Sequence, residues 1–228
     1  MMTFSFPRLP MIGALLLLTA CAGKPVPNWQ MEAKSAIERS TSAYLESNDR
    51  VEQQEFSLAH KEVARTGKVD LLARLELTRC AARVASLVLE DCTGFMPLRQ
   101  DASAEERAYA DYLAGTIASQ EVSRLPAAQR ATASAASDTA AAASLQGIED
   151  PFSRLIAAGV LFRSNRATPA VLQTAVDTAS AQGWKRPLLA WLNVQALHVE
   201  QAGAIEEAQR IRRRMALIEP VKPATAPR

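Results

Sequence analysis

Few side chains in this sequence could carry chemistry, and their spacing narrows the possibilities further. There are three cysteines, Cys21, Cys80 and Cys92, and two histidines, His60 and His198. No H-E-x-x-H pair, P-loop, G-x-S-x-G or dinucleotide-binding glycine pattern occurs. Metal-assisted hydrolysis, phosphate cradling and serine nucleophilic attack therefore lack their usual frameworks. Each histidine lies inside a helical stretch, His198 where a helical hairpin usually places an aromatic packing residue, so structural roles are expected for both. Glu52, Glu55, Glu62, Glu206 and Glu207 fall where a solvated helix face would put them, and no two carboxylates single themselves out as acid and base. No catalytic residue, metal ligand or cofactor is expected. Arg210, Arg212, Arg213 and Arg214 form a basic cluster, read first as a solvated face with favourable charge near a helix C-terminus. Contact with an anionic surface or an acidic partner is the functional alternative.

The N-terminal segment sets the compartment. Arg8 precedes an apolar run from Leu9 to Ala20, too short for a permanent span of about 20 residues. A basic residue, a short apolar run and small residues at its end read as a secretory signal over residues 1–20. The segment Leu18-Thr19-Ala20-Cys21 resembles the lipobox of bacterial lipoproteins: a branched apolar residue, two small ones that admit the peptidase, and the thiol that forms a thioether to diacylglycerol. The resemblance implies a mature chain that begins at a lipidated Cys21 and is membrane-anchored through it. Ala22 stands where an aspartate tends to retain such proteins at the inner membrane, so it implies the outer membrane, with the domain facing the periplasm.

Loss of residues 1–20 removes only Arg8 from the 26 basic residues, against 24 acidic ones. The mature charge is near neutral, which argues against a nucleic-acid partner. Residues 21–28 hold two prolines and a glycine and read as a tether of at most about 23 Å. The domain is expected over residues 29–220, with a disordered proline-bearing tail over residues 221–228.

With Cys21 given to lipid in an oxidising compartment, Cys80 and Cys92 are a candidate disulfide, two buried free thiols being the main alternative. A metal site finds no histidine nearby to complete its ligands. One straight helix would hold the two residues about 18 Å apart, whereas a disulfide needs Cα atoms about 4.4 to 6.8 Å apart. Pairing therefore requires the helix to end by Val88, although Val84 to Leu89 contains no breaker.

The rest of the chain is helical in pattern. Alanine, leucine, arginine, glutamate and glutamine dominate, and no stretch alternates as a strand would. Helices are expected over Trp29 to Glu46 and Arg50 to Arg65, with Gly67 as a cap. A third starts near Val69 and is apolar on most sides from Leu71 to Leu89. Thr93 to Pro97 reads as a loop, and Ser103 with Glu106 as a capping box opening a fourth helix through Tyr109, Tyr112 and Leu113. The alanine-rich stretch from Pro126 to Leu145, free of glycine and internal proline, is read as one helix. Asp150-Pro151 and Thr168-Pro169 mark two further starts, and Gly183, Pro187 and Gly203 divide the remainder. Eight or nine helices of about 12 to 20 residues, joined by short turns, would pack as antiparallel neighbours.

The last hairpin resembles a tetratricopeptide repeat. Leu192, Ala196 and Val199 precede Gly203-Ala204-Ile205-Glu206-Glu207-Ala208, followed by Met215 and Pro220. Arg212 departs from that pattern, and the first hairpin, Trp29 to Arg65, resembles it more loosely. The implied fold is all-α: hairpins stacked as a short solenoid, or an irregular helical bundle. Lipoproteins of this build serve outer-membrane protein insertion, secretin assembly and activation of peptidoglycan synthases. By that analogy a scaffold or adaptor for an envelope protein is expected. A wall-modifying enzyme would need two converging carboxylates, and a lipid or small-ligand carrier a large apolar cavity.

Overall fold

A computed structural model describes residues 26–218. The signal segment, Cys21 and most of the tether lie outside the described residues, as do Pro220 and the tail. Ten α-helices and two 3-10 turns make up the described chain, with no strand among the described residues. In order they are α1 (Asn28–Leu45), α2 (Asp49–Ala64), α3 (Val69–Ala85), a 3-10 turn (Met96–Leu98) and α4 (Ala104–Leu113). A second 3-10 turn (Ser119–Arg124) leads to α5 (Ala127–Ala133), α6 (Asp138–Gln146), α7 (Pro151–Arg163), α8 (Pro169–Gln182), α9 (Lys185–Gln201) and α10 (Ile205–Ile218).

The starts follow side-chain capping. The Asn48, Ser103, Ser137 and Asp150 side chains each accept the backbone N–H three residues on, satisfying one of the orphan donors of a first turn. Thr168 precedes Pro169 as expected, yet its hydroxyl makes no cap bond and is buried without a partner. The alanine-rich stretch is two short helices rather than one. Ser137 opens α6 by accepting from the Ala140 N–H at 3.1 Å, while the Ser134 hydroxyl bonds back to the Arg130 carbonyl at 2.8 Å and closes α5. Local serine bonds compete with the helix ladder, so the run breaks without glycine or proline. That division explains why the α-helices number ten among the described residues.

Six helices end in one manner. The chain takes a left-handed residue just past the last turn, and the next N–H bonds a carbonyl five residues back, the Schellman arrangement. Gly183 and Gly203 fill that position after α8 and α9. After α3 the position belongs to Leu87, with φ at +60° and the Val88 N–H on the Arg83 carbonyl at 2.9 Å.

The core lies where α3 crosses α7 and where α8 and α9 close over them, with Leu77, Ala81, Val84, Leu155, Ala158 and Trp191 all buried. Gly159 sets the crossing. A Cβ there would lie 2.3 Å from the Val84 carbonyl oxygen, so only glycine admits the α3 backbone at that depth. A smaller cluster, including Ala36, Phe56, Ala59 and Leu75, holds the α1–α2 hairpin against α3. The last hairpin crosses through Ala196 and Ala208, both fully buried, while Arg212 is exposed and bonds Glu200 instead of packing. The N-terminus of α9 also returns to α1: the Arg186 Nε donates to the Tyr44 carbonyl at 2.7 Å, and its guanidinium stacks 4.3 Å from the Tyr44 ring. This contact ties distant parts of the chain together within the expected all-α arrangement, a helical bundle or short solenoid.

Gly159→Ala is expected to cost about 2 kcal/mol by overpacking against a carbonyl that cannot swing away, lowering Tm by roughly 5 °C. Calorimetry checks this, and an unchanged Tm would mean that α3 and α7 do not meet at Val84.

Candidate functional site

Cys80 and Cys92 are bonded, with Cα atoms 5.5 Å apart. The pairing is possible because α3 stops at Ala85, three residues short of the limit that the geometry sets at Val88. Leu87 turns the chain, Val88 to Asp91 run back along the helix, and Phe95, buried in the core, anchors the far side of the loop. The bond faces a polar basin of about 280 Å³ lined by Glu76, Arg79, Arg83, Glu90, Asp91 and Thr93, among others. Glu76 is largely buried there against Gly94, with His60 Nε2 at 3.9 Å. Burial raises its carboxyl above the ordinary carboxylate range, and the nearby His60, Arg79 and Arg83 partly offset that.

The structure separates the other residues that the sequence singled out. His60 sits beside Glu76, while His198 is exposed on α9 and does not pack as an aromatic would. Glu52 and Glu62 are buried, at 3 % and 4 % exposure, contrary to the solvated face expected for them. Each is stabilised by an arginine. Arg79 Nε donates to Glu52 at 2.7 Å while its guanidinium lies 4.2 Å from the Phe56 ring, and Arg65 donates to Glu62 at 2.8 Å. A buried carboxylate needs such a partner; Arg79 stands on another helix, which a face-by-face reading does not connect, whereas Arg65 is the i+3 neighbour of Glu62. Of the basic cluster on α10, Arg210 bonds Glu207, Arg212 bonds Glu200 and Arg214 reaches the Ser180 hydroxyl. Arg213 is exposed on the outer face of that helix.

One open concavity is not revealed by the residue types. Between α3, α4 and the start of α5 lies an open groove of about 500 Å³. Tyr109 and Pro126 line it, with the fully buried Leu77 and Leu125 beneath them. Arg74, Arg124 and Arg130 stand on its rim with Glu105 and Glu106. Arg74 is tied to the buried Glu106 through Nε and Nη2, at 3.2 and 2.8 Å. Arg124 donates to Glu121 at 2.6 Å and stands 3.7 Å from Glu105. Arg130 is bonded only to backbone among the described residues, its Nε donating to the Leu125 carbonyl at 2.7 Å. Burial alone raises the pKa of the Tyr109 phenol, no hydrogen bond or charge contributing.

The placement of Arg130 follows a local rule. It is the fourth residue of α5, and it reaches back to the carbonyl just before that helix. Arg107, fourth in α4, bonds the Ala102 carbonyl, and Arg154, fourth in α7, bonds the Ile148 carbonyl at 3.0 Å. A cation near a helix N-terminus opposes the helix dipole, and here the loop carbonyl offsets that cost. An arginine at the fourth position of a helix thus closes a carbonyl of the preceding loop in all three cases, a pattern that helix periodicity leaves out.

Among the described residues no group of three or more histidine, cysteine or acidic side chains could hold a metal ion, and no helix is long and apolar enough to cross a membrane. Comparison with protein-family models, curated proteins and solved structures gives no match for the chain.

Replacing both Cys80 and Cys92 with serine is expected to cost on the order of 3 kcal/mol, since the bond closes a short loop in the unfolded chain. Urea unfolding under non-reducing conditions measures the loss. Two free thiols titrating in the denatured wild-type chain would show instead that the pair is not bonded.

Proposed function

We propose that the chain is a lipoprotein anchored by Cys21 at the periplasmic face of the outer membrane, where its helical bundle serves as a scaffold or adaptor for an envelope protein. The observation that carries this reading is the segment Leu18-Thr19-Ala20-Cys21 at the end of a short apolar run. Two further features support it. The Cys80–Cys92 bond is what an oxidising compartment favours in the two cysteines left after lipidation. The bundle is built from hairpins with broad helical faces, a form suited to contact with another protein.

The buried carboxylates Glu52, Glu62 and Glu106 each face an arginine rather than one another. That arrangement stabilises the fold and offers no acid–base pair across a cleft, so it lends nothing to the alternative of a wall-modifying enzyme.

Cys21→Ser is expected to release the chain from the membrane fraction when it is expressed with its native leader. Fractionation of the envelope checks this. A serine variant that stays membrane-bound would contradict lipid anchoring at Cys21. Crosslinking of the wild-type chain in envelope membranes should then yield one dominant protein adduct if the scaffold reading holds.

A further inference from the structure

We propose that Cys92 is a redox modification site: a dithiol attacks its sulfur, Cys80 leaves as the thiolate, and the loop from Leu89 to Gly94 comes free of an otherwise intact bundle. The inference rests on the Cys80–Cys92 bond and is independent of where the chain is anchored.

The two sulfurs are not equivalent to a nucleophile. Exchange depends on which sulfur can be reached and on which thiolate leaves. The incoming thiolate approaches roughly in line with the bond it breaks, from the side opposite the departing sulfur. Both cysteines border the polar basin of about 280 Å³. Cys80, however, is 6 % exposed and packs among the core residues of α3, so the line of attack on its sulfur runs through the bundle. Cys92 lies in a segment without regular structure and is partly exposed, so the line of attack on it runs through the open side. Arg79 and Arg83 border the same basin. Positive charge of that kind stabilises a departing thiolate, and Arg83 bonds no carboxylate among the described residues.

Little else holds the loop. The backbone N–H groups of Leu89, Glu90, Asp91 and Cys92 meet no backbone acceptor among the described residues. The Glu90 carbonyl accepts one bond from Arg163, at 3.4 Å. Phe95 and Met96 donate to the Cys92 carbonyl at 2.9 and 3.2 Å, which ties the loop only to itself. The end of α3 is fastened differently. Its ties are the Val88 N–H on the Arg83 carbonyl and the Trp191 indole on the Ala85 carbonyl, and neither passes through sulfur. Cleavage of the disulfide therefore loosens the loop and leaves the helix end closed.

The exchange balances. One thiolate of the dithiol bonds the Cys92 sulfur, the Cys80–Cys92 bond breaks, and Cys80 departs with the electron pair. The second thiol, deprotonated, then displaces Cys92 from the mixed disulfide. Two electrons and two protons pass to the cysteines, and the dithiol is oxidised to its own disulfide.

The test uses the full chain under native conditions, its free thiols first blocked with iodoacetamide. It is exposed briefly to 2-mercaptoethanol, quenched in acid, capped with N-ethylmaleimide and cut with trypsin, which places Cys80 in residues 80–83 and Cys92 in residues 84–99. By mass spectrometry the mixed disulfide on Cys92 should exceed that on Cys80 at least about tenfold. In concentrated guanidinium chloride the ratio should fall toward one, because both sulfurs are then open. Dithiothreitol should reduce the native chain with its helical circular dichroism unchanged. On that reduction the Phe95 and Met96 amides should gain at least about tenfold more in hydrogen-exchange rate than the core amides of α3 and α7. Leu87 and Val88 should still exchange in step with that core. Equal adducts on the two cysteines in the native chain, an excess on Cys80, or reduction that requires denaturant would overturn the proposal. So would loss of the helical signal on reduction, or loop amides that gain no more than the core.

Discussion

The carboxyl end of α3 is the point on which the rest of the molecule depends. Three elements distant in sequence meet within the few residues from Val84 to Val88. Gly159 of α7 lies against the Val84 carbonyl, the fully buried Trp191 of α9 donates its indole N–H to the Ala85 carbonyl at 3.0 Å, and Leu87 turns the chain toward Cys92. The last carbonyls of a helix have no partner within it, so a helix ending in the core is tolerable only if other groups supply donors. Trp191 supplies one and the turn at Leu87 supplies two. A left-handed leucine costs about 1–2 kcal/mol, a strain offset by burial of the surrounding side chains and by the Cys80–Cys92 bond. Ser86, inside this junction, keeps a buried hydroxyl with no partner, a sign that packing rather than hydrogen bonding decides the geometry there.

Around that junction the bundle is tied together largely by arginine. Guanidinium groups close loop carbonyls at the starts of α4, α5 and α7, link α9 to the end of α1 through Arg186, and neutralise Glu52 and Glu106 beneath neighbouring helices. A planar fork with several donors can serve a carbonyl, a carboxylate and an aromatic face at once, as Arg186 does with Tyr44 and Asp49. The same economy leaves Arg130 with its outer nitrogens at the rim of the groove between α3, α4 and α5. A residue placed to fix the start of a helix thus also presents a cation at the protein surface.

The sequence made the helices legible where their punctuation is chemical. Gly67, Gly183 and Gly203 take left-handed conformations, Ser103 and Asp150 cap α4 and α7, and Ala196 and Ala208 mark the crossing of α9 with α10. It was silent where tertiary contacts override local preference. Nothing between Val84 and Leu89 announces the end of α3, because leucine is neither a breaker nor an ordinary left-handed residue; the covalent constraint at Cys92 and the donor from Trp191 lie outside any local window. The break between α5 and α6 was missed for the opposite reason, since serine hydroxyls ended a run that composition alone favours as helix. The groove was hidden because its rim arginines read as solvated charge and Tyr109 as one more packing residue of α4.

If the end of α3 is the organising junction, its backbone bonds should open only when the whole domain does. Residue-resolved native-state hydrogen exchange tests this most directly. The amides of Leu87 and Val88, bonded to the Val84 and Arg83 carbonyls, should exchange with the same free energy as the core amides of α3 and α7, whereas Glu90 and Asp91 should exchange freely. Protection continuing unbroken from Ala85 through Asp91, or a Val88 amide that exchanges as fast as the open loop, would contradict the account.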